Sequence, residues 1–295
     1  MLSTLRPSIF YSQNYFKDSR LVASLLSRSS IGFGDVVYEI GPGKGIITTQ
    51  LARRCRQVVA IEKDPRLAAF LKKKFARDPN VSIRAGDFLN DRLPDGQYKV
   101  FANIPFNITS AVVTALTAAK NAPEDTYLTM QKEAARMYTG EPSESLRSVL
   151  LKPWFDVEVF QHFRRSDFTP EPGVDAVMLR LYKRIPPLVN PRDQRCFRDF
   201  MTCCFTAWRP NLDDILKGIF SWKQLKHIQR DLGIDLQVPP TAIRFGDWLN
   251  LFDFLLREGN EAAMRAISGS EKRLKQQQKR LHKIHRTRIS YRTRE

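Results

Sequence analysis

The run NIPF, residues 103–106, sets an amide, a proline and a flat ring directly after the strand-like stretch YKVFAN (98–103). The amide oxygen of Asn103 can accept one hydrogen of an amino group, and the backbone carbonyl of Ile104 can accept the other. Pro105 holds that carbonyl's geometry, and Phe106 offers a face for a base. Two acceptors and a stacking surface suit an exocyclic aromatic amine. Such a nitrogen is a poor nucleophile because its lone pair is delocalised into the ring; two acceptors favour the pyramidal form that can attack a sulfonium methyl. No strong base is required, because the methylated cation is very acidic, so alignment and electrostatics do most of the work. The base must leave any stack to react. Phe168, in a loop stiffened by Pro170 and Pro172, is the expected opposite face of the clamp.

Three features upstream describe what would hold the methyl donor. In YEIGPGKGIIT, Gly41, Gly43 and Gly45 stand two apart where a first strand meets a first helix. Glycines there let the backbone turn tightly and approach a ligand, and the helix start offers unpaired N–H groups. The spacing departs from G-x-G-x-x-G, and no G-x-x-x-x-G-K-[ST] occurs, which weakens dinucleotide and nucleoside triphosphate readings. Glu62 ends the second strand, 21 residues after Gly41, where a carboxylate suits ribose hydroxyls. Asp87, in AGDFLN after the third strand, can accept from the amine of an adenosine. In this order along one sheet they specify a nucleoside pocket.

The elements that must position these groups follow from periodicity. Residues 36–183 alternate β-branched or aromatic runs with helical patterns, the signature of a parallel α/β sheet. Strands are expected at 36–40, 58–62, 81–85, 98–103, 126–131, 157–163 and 176–183, with a crossover helix in GIITTQLARRC and another begun by Asp64 and Pro65. The segment RIPPLVNP (184–191) marks the expected domain boundary. Apolar residues then recur at helical spacings to about 260. The expected domains are 1–184 for the catalytic α/β unit, 185–267 for a helical RNA-binding unit, and 268–295 for a flexible basic tail with ten Lys and Arg against two Glu.

Composition narrows the partners. A net charge of +17 over 295 residues favours a polyanion, nucleic acid first. No apolar run approaches the roughly 18 residues of a membrane span, and the start lacks the order of a signal peptide, so a cytoplasmic location is expected. Cys55, Cys196, Cys203 and Cys204 form no C-x-x-C pair and lack His at zinc spacing, so buried thiols are expected and a metal site is not.

Taken together, QNYF (13–16), EIGPGKG (39–45), AIEKD (60–64), GDFL (86–89), NIPFNIT (103–109), QKEAARMY (131–138), LLKPWF (150–155) and RRSDFTPEPGVDAVML (164–179) resemble the Erm-type ribosomal RNA adenine N6-methyltransferases. The resemblance implies a class I, Rossmann-like sheet of seven strands with an antiparallel last strand and a small helical C-terminal domain. It implies S-adenosyl-L-methionine as cofactor and N6-methylation, once or twice, of one adenine in the peptidyl-transferase loop of 23S rRNA, giving macrolide, lincosamide and streptogramin B resistance. It implies that Asn14 and Phe16 touch the cofactor and Gln13 shields it. Gly41, with Gly43 beside it in the glycine turn, would lie along its methionine moiety, Glu62 on the ribose, Asp87 and Phe88 around the adenine, with Asn103 between cofactor and target base. Phe106 stands where the family often has Tyr, which keeps the stacking face and drops a hydroxyl. The expected protein is a monomer acting on protein-free or pre-ribosomal rRNA without a membrane. The alternatives are the related small-subunit (16S-type) rRNA adenine dimethyltransferases and a non-catalytic RNA-binding module of the same fold.

Overall fold

The alternating runs condense into one seven-stranded sheet in this computed structural model, which describes residues 14–280. In chain order the strands are β1 (Tyr15–Phe16), β2 (Val36–Ile40), β3 (Gln57–Glu62), β4 (Val81–Ala85), β5 (Lys99–Asn103), β6 (Asp125–Gln131), β7 (Phe155–His162), β8 (Phe168–Thr169) and β9 (Ala176–Lys183). The sheet order is β4-β3-β2-β5-β6-β9-β7, and β1 pairs with β8 in a separate two-stranded ribbon. Strands β2 to β6 pair in parallel, whereas β9 is antiparallel to both neighbours. The order reverses between β2 and β5, which is the crevice where open α/β sheets receive ligands beyond their strand ends.

The central strands are nearly all apolar because both faces are covered. Val37, Val58, Phe101 and Tyr127 pack with Leu25 of α1 (Ser19–Arg28) and Leu51 of α2 (Ile46–Ala52). On the opposite face, Tyr38, Val59, Val100 and Leu128 pack with Val112 and Leu116 of α4 (Thr109–Thr117). Each such side chain contributes about 1.5–3 kcal/mol on burial. Helix α3 (Pro65–Lys74) begins as its sequence dictates: Asp64 accepts from the Arg66 amide at 2.7 Å, and Pro65 takes the first helical position. Two short helices, α5 (Lys132–Thr139) and α6 (Leu146–Leu151), link β6 to β7. At the sheet edge away from the glycine turn, fully buried Asp125 accepts from Ser30 Oγ (2.7 Å), Tyr127 Oη (2.9 Å) and Arg180 (2.8 Å), tying β6 to β9.

The chain divides into two compact units, with the break between Leu188 and Val189. The second unit is helical: α7 (Gln194–Thr206), α8 (Leu212–Leu216), α9 (Trp222–Asp231), α10 (Phe245–Glu258), α11 (Glu261–Ile267) and α12 (Ser270–Arg280). Its core joins α7 to α10, with Phe197 edge-on to Phe252 at 5.0 Å and Phe200 beside Trp248. No described helix is long and apolar enough to cross a membrane.

The expectation of a flexible tail from 268 is corrected for residues 270–280, which form the docked helix α12. Its start is capped from another helix: the Asp199 carboxylate, 6% exposed, accepts from the Gly269 amide at 2.9 Å and the Glu271 amide at 3.0 Å. Arg198 adds an ion pair to Glu271 at 2.7 Å. Burial would raise the Glu271 carboxyl, but hydrogen bonds from Arg198 and Lys275 outweigh it and hold the group at about 2. Composition shows the excess of cations in this segment but not the partner across the unit that organises its first turn. The rest of the predicted tail, 281–295, lies outside the described residues. Replacing Asp199 with Ala removes two charge-assisted bonds at once, so urea denaturation is expected to show a loss of about 2–3 kcal/mol.

Candidate active site

The first strand-to-helix turn is shaped by backbone that only glycine adopts freely. Gly41, Gly43 and Gly45 have φ of 66°, 57° and 77°. At Gly43 space also excludes a side chain, since a Cβ there would collide with the ring of Tyr15. The turn is closed by Gly41 N–H donating to the Ile61 carbonyl at 2.9 Å and Gly45 N–H to Pro42 at 2.8 Å.

Glu62, at the end of β3 and 5% exposed, clamps this turn to the next one. Its Oε2 accepts from the Gly43 amide at 3.0 Å and its Oε1 from the Asp64 amide at 2.9 Å. Two bonds leave a carboxylate with acceptor capacity to spare. Burial, and then the charges of Glu62 and Asp64, push the Tyr15 phenol above its usual value.

A second carboxyl lies at the root of the turn. Glu39 is fully buried; Thr48 Oγ1 donates to its Oε2 at 2.6 Å, and its Oε1 has no hydrogen-bond partner among the described residues. Burial pushes Glu39 up to about 8 against the Thr48 bond, with the Glu62 charge adding to the rise. Glu39, Thr48 and Tyr15 are not among the site residues expected from the sequence. A lone carboxyl inside the apolar strand VVYEI was the available signal, because a buried polar group needs a reason.

On the other side of the strand-order reversal, β5 ends at Asn103, 8% exposed and in register with Thr129 of β6. Its Nδ2 donates to the Asn14 carbonyl at 2.5 Å, which leaves the oxygen as the acceptor end of the amide. Ile104 is buried; Pro105 and Phe106 are half-buried, and Phe106 opens the turn that leads into α4. Asp87 follows β4, where Lys63 donates to Oδ2 at 2.7 Å and the Leu89 amide to Oδ1 at 3.1 Å. The Lys63 hydrogen bond, then that from Leu89, holds the Asp87 carboxyl below its usual value.

The carboxyl edge therefore gathers the glycine turn, Glu62, Asp87, Asn14 and the 103–106 run. The aromatic expectations fare differently. Phe168 has no exposed surface: Phe16 stacks on it at 4.9 Å and 27°, and Phe163 meets it edge-on at 5.4 Å. Its assignment as an open face of the clamp is corrected to a core ring in this structure, because β1 pairs with β8 and sets Phe16 opposite Phe168. Phe16 is itself buried, and Phe88 packs in the core with Ile61 and Ile104. Gln13 lies outside the described residues.

A family model described as ribosomal RNA adenine dimethylase matches residues 5–257. The chain is 34% identical to an rRNA methyltransferase of Streptomyces thermotolerans, over 83% of this chain and 82% of that protein. It is 35% identical to the ribosomal RNA small subunit methyltransferase A of Geobacter sulfurreducens, over 70% of this chain and 78% of the relative. Among solved structures it is similar to the 23S rRNA methyltransferase ErmE, with 30% identity and a TM-score of 0.77 over 82% of this chain and 99% of ErmE.

The Glu39 carboxyl gives the fold a pH signature. Its folded value of about 8 lies above the usual 4.5, so the native state holds the proton more tightly than the unfolded chain does. That contribution to stability is full below about 4.5 and is lost as pH rises through about 8. Thermal denaturation from pH 5 to 9 is expected to show this loss in the wild type. Glu39→Gln, which cannot ionise, is expected to flatten the curve and to unfold at a higher temperature than wild type near pH 9.

Proposed function

Because the chain belongs to the ribosomal RNA adenine dimethylase family and is an S-adenosylmethionine-dependent rRNA adenine methyltransferase, we propose that its target is one adenine of the peptidyl-transferase loop of 23S rRNA. Methylation of N6 there would give macrolide, lincosamide and streptogramin B resistance. The observation that supports an adenine amine as the methyl acceptor most is Asn103: a buried amide at the end of β5, its nitrogen donating to the Asn14 carbonyl. The likeness to ErmE favours the large-subunit target. The small-subunit relative supplies the second reading.

The residues fit the cofactor. The turn runs through left-handed backbone at Gly41, Gly43 and Gly45, and Glu62 has acceptor capacity for a pair of ribose hydroxyls after its two amide bonds. Glu62, Asp87, Asn14 and the glycine turn would hold it. When bound, S-adenosylmethionine supplies an electrophilic methyl group on a sulfonium. The chain's own contribution is orientation. Asn103 Oδ1 and the Ile104 carbonyl accept the two N6 hydrogens of the target adenine, and Phe106 takes the face of its ring. Those bonds strengthen as positive charge grows on N6, which is where preorganised acceptors lower the barrier. The N6 proton is released to solvent from an acidic cation, so no side chain has to act as a strong base. We propose that the protein works as a monomer, with the helical unit assisting RNA binding.

Asn103→Ala is expected to lower methyl transfer by at least about 10²-fold while S-adenosylmethionine binding, followed by calorimetry, largely survives. Glu62→Ala is expected to weaken that binding by roughly 10–100-fold. Tritium transfer from labelled cofactor to protein-free 23S rRNA, set against small-subunit particles, decides the target. Transfer to the particles alone overturns the large-subunit reading, and transfer to neither overturns the enzymatic one. A macrolide-susceptible bacterium expressing the chain is expected to become resistant.

A further inference from the structure

Tryptophan is among the most thoroughly buried side chains on average, and Trp248 of α10 follows that habit with no exposed surface. Trp208 does the opposite. It is 101% exposed, the highest value among the exposed large apolar residues described.

The connection that bears it is short and held at both ends. Helix α7 stops at Thr206, and Ala207 leaves it in an extended conformation. Asn211 caps α8 by accepting from the Asp214 amide at 2.9 Å. The next two amides are tied down as well, Leu212 to the Val238 carbonyl at 3.0 Å and Asp213 to Leu236 at 2.8 Å. Trp208, Arg209 and Pro210, all exposed, thus span a gap between fixed points. An indole displayed on such a segment loses little freedom when something covers it.

The surroundings indicate what covers it. Contiguous apolar patches of several hundred Å² mark protein-interaction sites, whereas the residues that follow Trp208 in the chain are an exposed arginine and proline. An unstacked base needs only one flat face and a cation for its phosphate. A second exposed indole of this unit does have a cation against it: Trp222, 66% exposed, has the Lys226 ammonium 3.9 Å from its ring centre. In a chain of net charge +17, aromatic and cationic groups side by side suit a polyanion that carries rings.

We propose that Trp208, with Arg209 beside it, is a stacking platform on the helical unit for an unpaired base of the rRNA substrate, and sets affinity rather than chemistry. The proposal rests on the rRNA methyltransferase reading. The test compares full-length wild type, Trp208→Ala and Trp208→Phe in methyl transfer to protein-free 23S rRNA across a range of salt. Loss of the ring is expected to raise the KM for RNA roughly tenfold, with kcat and cofactor affinity unchanged. Because a stacked ring releases no counterions, the salt slope is expected to stay the same while the whole line shifts. Trp208→Phe is expected to recover most of the loss.

An unchanged RNA KM in Trp208→Ala overturns the proposal. So does a changed sedimentation state with unchanged KM, which would assign the ring to a protein partner or a second copy. A fall in kcat alone also overturns it. The wild-type control keeps the parent reading separate: transfer only to small-subunit particles removes the 23S target, and the Trp208 comparison is then made on that RNA.

Discussion

The site depends on one buried carboxylate shared by two loops. Glu62 must leave water to end β3 at the edge of the glycine turn, and an isolated carboxylate there would be costly. The amides of Gly43 and Asp64 offset that cost, and they can be aimed at it only because the turn runs through left-handed backbone at Gly43. The same bonds fix the start of α2 relative to the start of α3. Strand order, glycine spacing and the position of one acid are therefore a single constraint. The second carboxyl, Glu39, is fully buried, which pushes it up to about 8, and the Glu62 charge adds to that rise.

A similar economy governs the other half of the edge. The segment before α1 is only a two-residue strand, yet it does two things at once. Paired with β8, it lays Phe16 on Phe168 and completes a cluster of three rings with Phe163. Its preceding carbonyl, at Asn14, engages the nitrogen of the Asn103 amide. The packing of Phe168 and the hydrogen bond that engages Asn103 thus come from one short segment, residues 14–16.

The legible part of the fold was the part with a strong period. Each of the seven long strands was expected within two residues of its observed limits, because the central strands are apolar runs covered on both faces and the edge strands β4 and β7 alternate apolar with polar residues. Asp64 with Pro65 was readable because a cap is local chemistry. β1 and β8 were not, since two residues carry no period and their pairing joins positions more than 150 apart in sequence. The docking of α12 escaped for the same reason: its cap is Asp199, seventy residues away. At the site, the residues that turn the backbone or end a strand were legible from type and spacing. The aromatic residues were harder, because a phenylalanine in a loop has the same sequence appearance whether it meets a base or another phenylalanine.

An acceptor pair suits an exocyclic amine, but every unpaired adenine offers the same two hydrogens, and cytosine and guanine carry amines as well. The proposed edge of Asn103, Ile104 and Phe106 would therefore hold an amine-bearing base without selecting one position among many. Selection has to come from contacts that read the fold of the RNA around the target: phosphates at fixed spacing and unpaired bases at fixed distance from the extruded one. Phosphate contacts alone give affinity with little discrimination, and they weaken steeply with salt. Flat faces held on short, pinned connections add the geometric part, because they bind only where the RNA presents an unstacked ring. A chemically generic edge and a structurally particular surface would then be two halves of one requirement, with glycines, acids and Asn103 along the sheet edge and, on the present proposal, the exposed indole of Trp208 in the helical unit.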